Sequence, residues 1–114
     1  MVHIGTGPGL ELFEMEAPAH QPAAALNDYG LNHLAVYVDD VDAAVRRMVA
    51  AGGQMLSEVH GNWRYEDTPG NASVYARAPW GTLIELQSIP GGYHYPQDAE
   101  AEVWLPPRRD VGQG

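Results

Sequence analysis

A strand-like segment followed at once by an amphipathic helix is the feature that most constrains the fold of this chain. Residues 31–38 have the sequence LNHLAVYV, and alternate side chains of an extended segment point to opposite faces. One face therefore collects the aliphatic side chains of Leu34, Val36 and Val38, and such alternation is typical of a strand with one face toward a core. The other face carries His33, Ala35 and Tyr37.

The helix is predicted by its cap, its apolar stripe and its end. Asp39 and Asp40 are candidate N-caps directly before the stripe. Gly52 and Gly53 stand where a left-handed residue commonly ends a helix. Between them, apolar residues fall at i, i+3, i+4, i+7 and i+8, which is one helix face: Val41, Ala44, Val45, Met48 and Val49. We expect this face to be buried against the aliphatic side chains of two strands, namely Leu34, Val36, Ile84 and Leu86.

Three further strand-like segments complete a β-α-β-β-β order. They cover residues 54–60, 73–78 and 82–89, and a polar loop containing Trp63 and Tyr65 separates the first two. The predicted fold class is therefore α+β, with one helix on a curved, mixed or antiparallel sheet of four strands.

Composition shifts divide the chain into four parts. Residues 1–15 are predicted to form a β-hairpin, and residues 16–29, with two prolines, a linker. Residues 30–89 hold the β-α-β-β-β unit. Residues 90–114 are a tail rich in Pro and Gly; we expect its end to be frayed and its possible anchors to be Tyr93, Tyr95 and Trp104.

Bulk properties exclude several classes of function. The 114 residues suffice for one domain with one modest core, and the net charge of −9 disfavours binding to nucleic acid or to anionic lipid. Because there is no cysteine, disulfides, thiolate metal sites and a cysteine nucleophile are ruled out. No apolar stretch is long enough to span a bilayer, and no signal-peptide pattern opens the chain, so a cytoplasmic location is the default expectation.

Two side chains, His33 and Glu85, carry the chemistry of the predicted sheet. A histidine on a strand is more often a partly buried residue bonded to a neighbour than a ligand. Glu85 lies in LIEL, a strand expected to be buried, and a buried carboxylate needs a partner. That partner is either Arg77 on the preceding strand or a metal ion. Because both residues occupy the non-helix faces of their strands, they can point into one concave surface.

Two segments resemble the glyoxalase/bleomycin resistance protein/dioxygenase superfamily, also called the vicinal oxygen chelate superfamily. Residues 33–44 (HLAVYVDDVDAA) resemble the first strand and helix start of its module. Residues 78–86 (APWGTLIEL) resemble its last hairpin, with Ala78 in place of the usual acidic residue. The segment GLEL at residues 9–12 is similar to TLIEL when Glu11 is laid over Glu85, so the N-terminal hairpin resembles the remnant of a second module.

The resemblance implies a divalent metal ion in a cleft between two modules. Each module usually supplies a histidine from its first strand and a glutamate from its last. His33 and Glu85 match one module and Glu11 matches the glutamate of the other, whereas His3 is on the wrong strand to match a histidine. Imidazoles and carboxylates suit Zn, Ni, Co, Mn or Fe(II), and a ligand glutamate such as Glu85 or Glu11 can also transfer a proton.

The implied function is a lyase of the glyoxalase I type, an isomerase or epimerase, or a dioxygenase, acting on a small molecule with adjacent oxygens. The alternatives are a metal-free protein that binds a small molecule or drug, as bleomycin resistance proteins do, and a catalytically silent fragment. A single module leaves its concave face and one sheet edge open, so a homodimer is expected to complete the cleft. Glu11 then either joins His33 and Glu85 or is replaced by ligands from a second copy.

Overall fold

The computed structural model describes residues 1–64 and 67–103. Strands β3 to β6 and helix α1 follow the predicted β-α-β-β-β order, which confirms the α+β class with a mixed sheet. A short hairpin, β1 and β2, precedes them. The elements are β1 (Val2–His3), β2 (Gly9–Leu10), β3 (His33–Tyr37), α1 (Val41–Ala50), β4 (Gln54–Met55), β5 (Ala72–Arg77) and β6 (Leu83–Ser88).

The four-stranded sheet has the order β3-β6-β5-β4. Strand β3 is parallel to β6, and the other pairs are antiparallel. Helix α1 returns the chain so that β4 runs in the direction of β3, and the two reversals that follow give β6 that direction again. In this register Glu85 lies between Ala35 on one side and Tyr75 on the other. The first and last strands of the unit are thus neighbours, which is why His33 and Glu85 can meet although they are far apart in sequence.

Helix α1 begins and ends where its cap residues predict. The Asp40 side chain accepts a hydrogen bond from the Ala43 backbone N–H at 3.0 Å, so Asp40 is the N-cap. At the other end Gly52 has a φ of +92°, a conformation that other residues adopt only with strain. The Gly53 N–H then bonds back to the Met48 carbonyl at 2.9 Å, which closes the last turn.

The hydrophobic core lies between α1 and the sheet. Its buried residues are Val41, Ala44, Val74 and Leu86, and its partly buried members include Val45, Met48 and Ile84. The helix packs on β4, β5 and β6. Leu34 and Val36 on the edge strand β3 are half-buried and lie outside this cluster, contrary to expectation.

The predicted burial of Val49 is wrong, because its side chain is 54% exposed. Eight residues after Val41 correspond to a rotation of about 80° around the helix, which places Val49 at the margin of the apolar stripe. Strand β4 packs against α1 but has two residues, so the sheet under the helix is narrow at its β4 edge.

The N-terminal hairpin is shorter than its alternating pattern suggests. Val2 pairs with Leu10 and His3 with Gly9, but residues 11–15 form no strand. Leu12, Phe13 and Met15 are all more than half exposed. An alternating segment is stable as a strand where one of its faces is buried. Within the described chain, no other segment buries these side chains.

The second predicted strand is also shorter, since β4 ends at Met55 and a single bridge joins His60 to Ser73. After β6, the chain is held by Asn71, whose Nδ2 donates to the Gly92 carbonyl at 2.7 Å and whose Oδ1 accepts from the Gly91 N–H at 3.0 Å. The predicted anchor Trp104, the frayed terminus and Tyr65 of the aromatic loop lie outside the described residues. In the described part of the chain, no helix combines the length and apolarity that a membrane span needs.

Candidate functional site

The face of the sheet opposite α1 carries the candidate site. Strand alternation places the core residues Val74 and Leu86 on the helix side, so their sequence neighbours point to the other side. We call this other side the polar face. It is formed by His33 from β3, Ser73, Tyr75 and Arg77 from β5, and Leu83, Glu85 and Gln87 from β6.

His33 and Glu85 meet on the polar face. The distance from His33 Nε2 to Glu85 Oε2 is 3.6 Å, and the two side chains are 29% and 15% exposed. The residue beside Glu85 on β3 is Ala35, whose small side chain leaves room for the imidazole to lean over β6. The structure therefore brings together the two residues that the sequence singled out.

The His33 ring has defined neighbours on its other sides. Its Nδ1 lies 2.6 Å from Asn32 Oδ1, so the expectation of a partly buried histidine bonded to a neighbour is also met. Its ring makes an edge-on contact with Tyr75, with centroids 5.4 Å apart and planes inclined by 71°. Because Tyr75 is on β5, the two rings reach toward each other across β6 and fix the position of the imidazole.

The alternative partner of Glu85, Arg77, is engaged elsewhere. Arg77 Nη1 donates a hydrogen bond of 2.6 Å to the Gly81 carbonyl, in the turn between β5 and β6. The register sets Arg77 opposite Leu83 rather than opposite Glu85. Of the two candidate partners Arg77 is therefore set aside, and Glu85 Oε2 instead faces His33 Nε2.

A cavity of about 350 Å³ adjoins the pair and has Glu85 in its wall. The loop of residues 60–63 forms one side and β5 the other, and the bridge between His60 and Ser73 holds them together. On this loop the Arg64 guanidinium lies 4.3 Å from the centre of the Trp63 ring. The remaining lining residues are Gly61, Asn62 and Tyr75.

Sequence reasoning missed three residues of this site. Tyr75 is paired with Glu85 in the hairpin of β5 and β6, so the register of that hairpin could have identified it. Asn32 adjoins His33 in sequence but gave no signal of its own. Asn62 was hidden in a polar loop; its amide nitrogen and oxygen are both buried and have no hydrogen-bond partner among the described residues.

Glu11 is not brought to the pair. It follows β2, is exposed, and lies outside any strand. Among residues 1–64 and 67–103, no three histidine, aspartate or glutamate side chains gather closely enough to hold an ion. The place of Glu11 in the site thus stays a prediction, and His3 is likewise exposed on β1.

The pair itself fits a divalent metal ion. Zn²⁺ keeps nitrogen and oxygen ligands at about 2.0–2.2 Å, so two ligands of one ion are at most about 4.4 Å apart. The separation of 3.6 Å lies within that span and exceeds the length of a good hydrogen bond. One imidazole nitrogen and one carboxylate provide half of a four-ligand shell, with the cavity beside them.

The fold and the pair together define a β-α-β-β-β module with a histidine on its first strand and a glutamate on its last. A sequence model of the Glyoxalase/Bleomycin resistance protein/Dioxygenase superfamily matches residues 1–68, which include His33 and α1. The chain belongs to this superfamily, as its two motifs indicated.

A relative and a solved structure show similarity over different lengths. The chain is 36% identical over 110 residues to a 2-epi-5-epi-valiolone epimerase from Actinomyces sp., and the similarity covers 93% of this chain and 58% of the epimerase. The chain therefore spans little more than half of that relative. A crystal structure of a glyoxalase family protein from Bacillus cereus is similar with a TM-score of 0.49 and 26% identity, over 61% of this chain and 44% of that one.

Proposed function

We propose that this chain carries a metal-dependent epimerase site of the vicinal oxygen chelate type. The observation that carries the proposal is the convergence of His33 and Glu85, 3.6 Å apart, at the edge of a cavity. The similarity to an epimerase favours this reaction over the lyase and dioxygenase chemistry of the same superfamily. The substrate class is a small molecule with two adjacent oxygens, one of them a carbonyl.

His33 and Glu85 would hold the ion, which when bound polarises the carbonyl and makes the neighbouring C–H more acidic. Epimerisation at that carbon then needs a base to remove the proton from one face, with a proton delivered from solvent to the opposite face. The Glu85 carboxylate lines the cavity, so it can reach a proton on a molecule bound there. Tyr75 packs against the His33 ring and keeps the imidazole in place during the reaction.

The rest of the metal shell has two candidate sources. In one arrangement Glu11 moves to the pair, which requires residues 11–15 to leave the exposed position that they have here. In the other, a second copy places its own His33 and Glu85 across the cleft, which yields two imidazoles and two carboxylates. We favour the homodimer, because the described residues keep Glu11 apart from the pair.

Metal binding is tested first, by elemental analysis of protein purified without chelator and by titration with Zn²⁺, Co²⁺ and Mn²⁺. We expect binding to be lost in His33→Ala and strongly reduced in Glu85→Gln. Glu14→Gln is the matched control, since it removes an exposed carboxylate that neither arrangement uses, whereas Glu11→Gln separates the two arrangements. A fall in affinity for Glu11→Gln equal to that for Glu85→Gln would support the arrangement in which Glu11 joins the site. Light scattering during size-exclusion chromatography tests the dimer, and a monomer that binds metal would refute the shared site.

Epimerase activity is tested by exchange of a substrate proton in D₂O. Polyhydroxylated ketones, with 2-epi-5-epi-valiolone as the first, are incubated with metal-loaded protein and followed by NMR. We expect deuterium to enter at a carbon beside the carbonyl, and the exchange to be lost in Glu85→Gln. Metal-bound, folded protein that exchanges no proton of any such ketone would contradict the epimerase proposal.

A metal-free binding protein is the second candidate, because the described residues supply two ligand side chains rather than three or four. Trp63 and Tyr75 give the cavity aromatic walls, and Glu85 would attract a cationic molecule. Stoichiometric metal in the purified protein would exclude this candidate. Its absence, together with binding of an aromatic cation, would support it.

A further inference from the structure

The Asn32 side chain is held by hydrogen bonds at both of its amide atoms. Nδ2 donates to the Leu26 carbonyl at 3.3 Å and to the Asp28 carbonyl at 3.2 Å. Oδ1 lies 2.6 Å from His33 Nδ1. Because backbone carbonyls can only accept, the amide nitrogen has to face them. This removes the ambiguity that normally attaches to the orientation of an asparagine amide.

The orientation of Asn32 determines which nitrogen of His33 carries the proton. The Asn32 Oδ1 can only accept, so His33 Nδ1 has to donate. In a neutral imidazole one nitrogen donates and the other accepts. The remaining nitrogen, Nε2, therefore presents a lone pair, and this is the atom that faces Glu85 Oε2.

In neutral His33 a lone pair directed at a carboxylate is unfavourable unless a cation lies between them, and that cation is either a further proton, which makes the ring an imidazolium paired with Glu85, or a metal ion. In the opposite tautomer Nε2 would carry a proton and donate it to Glu85, and the carboxylate would be occupied by that hydrogen bond. The Nδ1–H tautomer instead leaves both Nε2 and Oε2 as electron-pair donors toward the same space. Metal-binding histidines commonly have their second nitrogen bonded in this way, which fixes the tautomer and the ring orientation.

A tight turn in the linker holds the Asn32 side chain. The Asp28 carboxylate accepts from the Ala25 N–H at 2.6 Å, and the Asp28 N–H donates to the Ala25 carbonyl at 3.1 Å. Residues 25–28 thus form a closed turn whose carbonyls point at the Asn32 amide. The linker before β3 is a support for the imidazole rather than a passive connection.

We propose that Asn32, held by the turn of residues 25–28, is a positioning residue that fixes His33 in the Nδ1–H tautomer and presents Nε2 to a divalent cation. For neutral His33 the tautomer follows from the hydrogen bonds alone, whereas the divalent cation rests on the proposed function. Asn32 touches neither the substrate nor the ion, and acts through His33.

The tautomer is measured in metal-free protein by ¹⁵N–¹H correlation spectra of the histidine rings, at a pH where His33 is neutral. The His33 signals are assigned by their loss in His33→Ala. We expect Nδ1–H in the unmodified chain and a shift toward Nε2–H in Asn32→Leu, which has similar volume but no acceptor. Asn32→Asp should keep Nδ1–H, since a carboxylate still accepts. Gln21→Ala, which removes an exposed amide of the same linker outside the turn, is the control and should change nothing.

Zn²⁺ affinity is then measured by competition with a chelating dye. We expect Asn32→Leu to bind about 10–100-fold more weakly, the usual effect of losing an outer-shell partner. Asn32→Asp should retain most of the affinity and Gln21→Ala all of it. Circular dichroism checks folding, and Asn32→Ala replaces Asn32→Leu if the latter does not fold.

Each outcome bears on a separate part of the reasoning. An Nε2–H tautomer in the unmodified chain, or an unchanged tautomer in both Asn32→Leu and Asn32→Ala, overturns the role of Asn32. Loss of Nδ1–H in Asn32→Asp as well would assign the effect to the turn and refute the acceptor role. If the expected tautomers are found but no ion binds, the proposed metal function fails while the assignment of the Asn32 bond stands.

Discussion

Truncation of Leu83 gives the sharpest test of how the candidate site is supported. Leu83 is 1% exposed, although it lies on the polar face, away from α1. Its register partners are His33 on β3 and Arg77 on β5, so its side chain lies between theirs. Leu83 therefore forms the floor beside the His33 imidazole, and its packing is independent of the core under the helix.

The cost of Leu83→Ala is worked from this burial. Three carbon groups are removed, each worth about 0.8 kcal/mol when fully buried, which amounts to about 2.4 kcal/mol. A cavity that does not collapse adds up to about 2 kcal/mol. We expect the free energy of unfolding to fall by about 2.5–4.5 kcal/mol, a large part of the stability of a small domain.

Urea denaturation followed by circular dichroism measures this loss. Leu31→Ala is the matched control, because Leu31 is 84% exposed and its truncation should cost less than about 0.5 kcal/mol. The ring signals of His33 should also shift or broaden in Leu83→Ala and not in Leu31→Ala. A loss below about 1 kcal/mol for Leu83→Ala would refute the close packing of the polar face beneath His33.

Three further predictions concern the helix and the cavity wall. Asp40→Ala should lower the free energy of unfolding by about 1 kcal/mol, because it removes the bond to the Ala43 N–H, and an unchanged urea midpoint would exclude that cap. Val45→Asp should unfold or aggregate the protein, since Val45 packs on the core, whereas Val49→Asp should cost less than about 1 kcal/mol; equal thermal stability of the two would contradict the orientation of α1. Asn62→Leu should raise stability by about 1–3 kcal/mol, as it removes two buried polar atoms that lack partners among the described residues, and a lower melting temperature would show that the amide is satisfied.

Local patterns were enough to predict the elements of the β-α-β-β-β unit. The helix has a strong N-cap and a Gly-Gly end, and these signals act within one turn, so its bounds could be predicted without knowledge of the rest. The strand-like patterns of residues 31–38 and 82–89 assigned His33 and Glu85 to the same kind of strand face. The two family motifs then implied that His33 and Glu85 share one site, and the structure adds that their strands, β3 and β6, are parallel neighbours.

Features that depend on contacts between distant segments could not be predicted in this way. Alternation in residues 10–15 suggested a strand, but an alternating segment becomes a strand where a neighbour pairs with it, and residues 11–15 have no such neighbour in the described chain. Val49 matched the helix stripe, yet its exposure depends on the short β4 beneath it. The burial of a side chain depends on both of the surfaces that pack together, whereas the sequence of one element describes only its own surface.

The chemistry of the candidate site also has one part that the sequence predicts and one part that depends on contacts between distant segments. The residue types already limit the ligands of the site to imidazoles and carboxylates, because the chain has no cysteine and few basic residues on its strands. The separation of 3.6 Å between His33 and Glu85, the Tyr75 ring across β6, and the engagement of Arg77 by Gly81 came from the packed sheet. So did the amide of Asn32, which joins a linker turn to the imidazole through bonds of 2.6–3.3 Å. Such bonds require atoms from separate segments to be placed within a few tenths of an ångström, and no local pattern of residues encodes that precision.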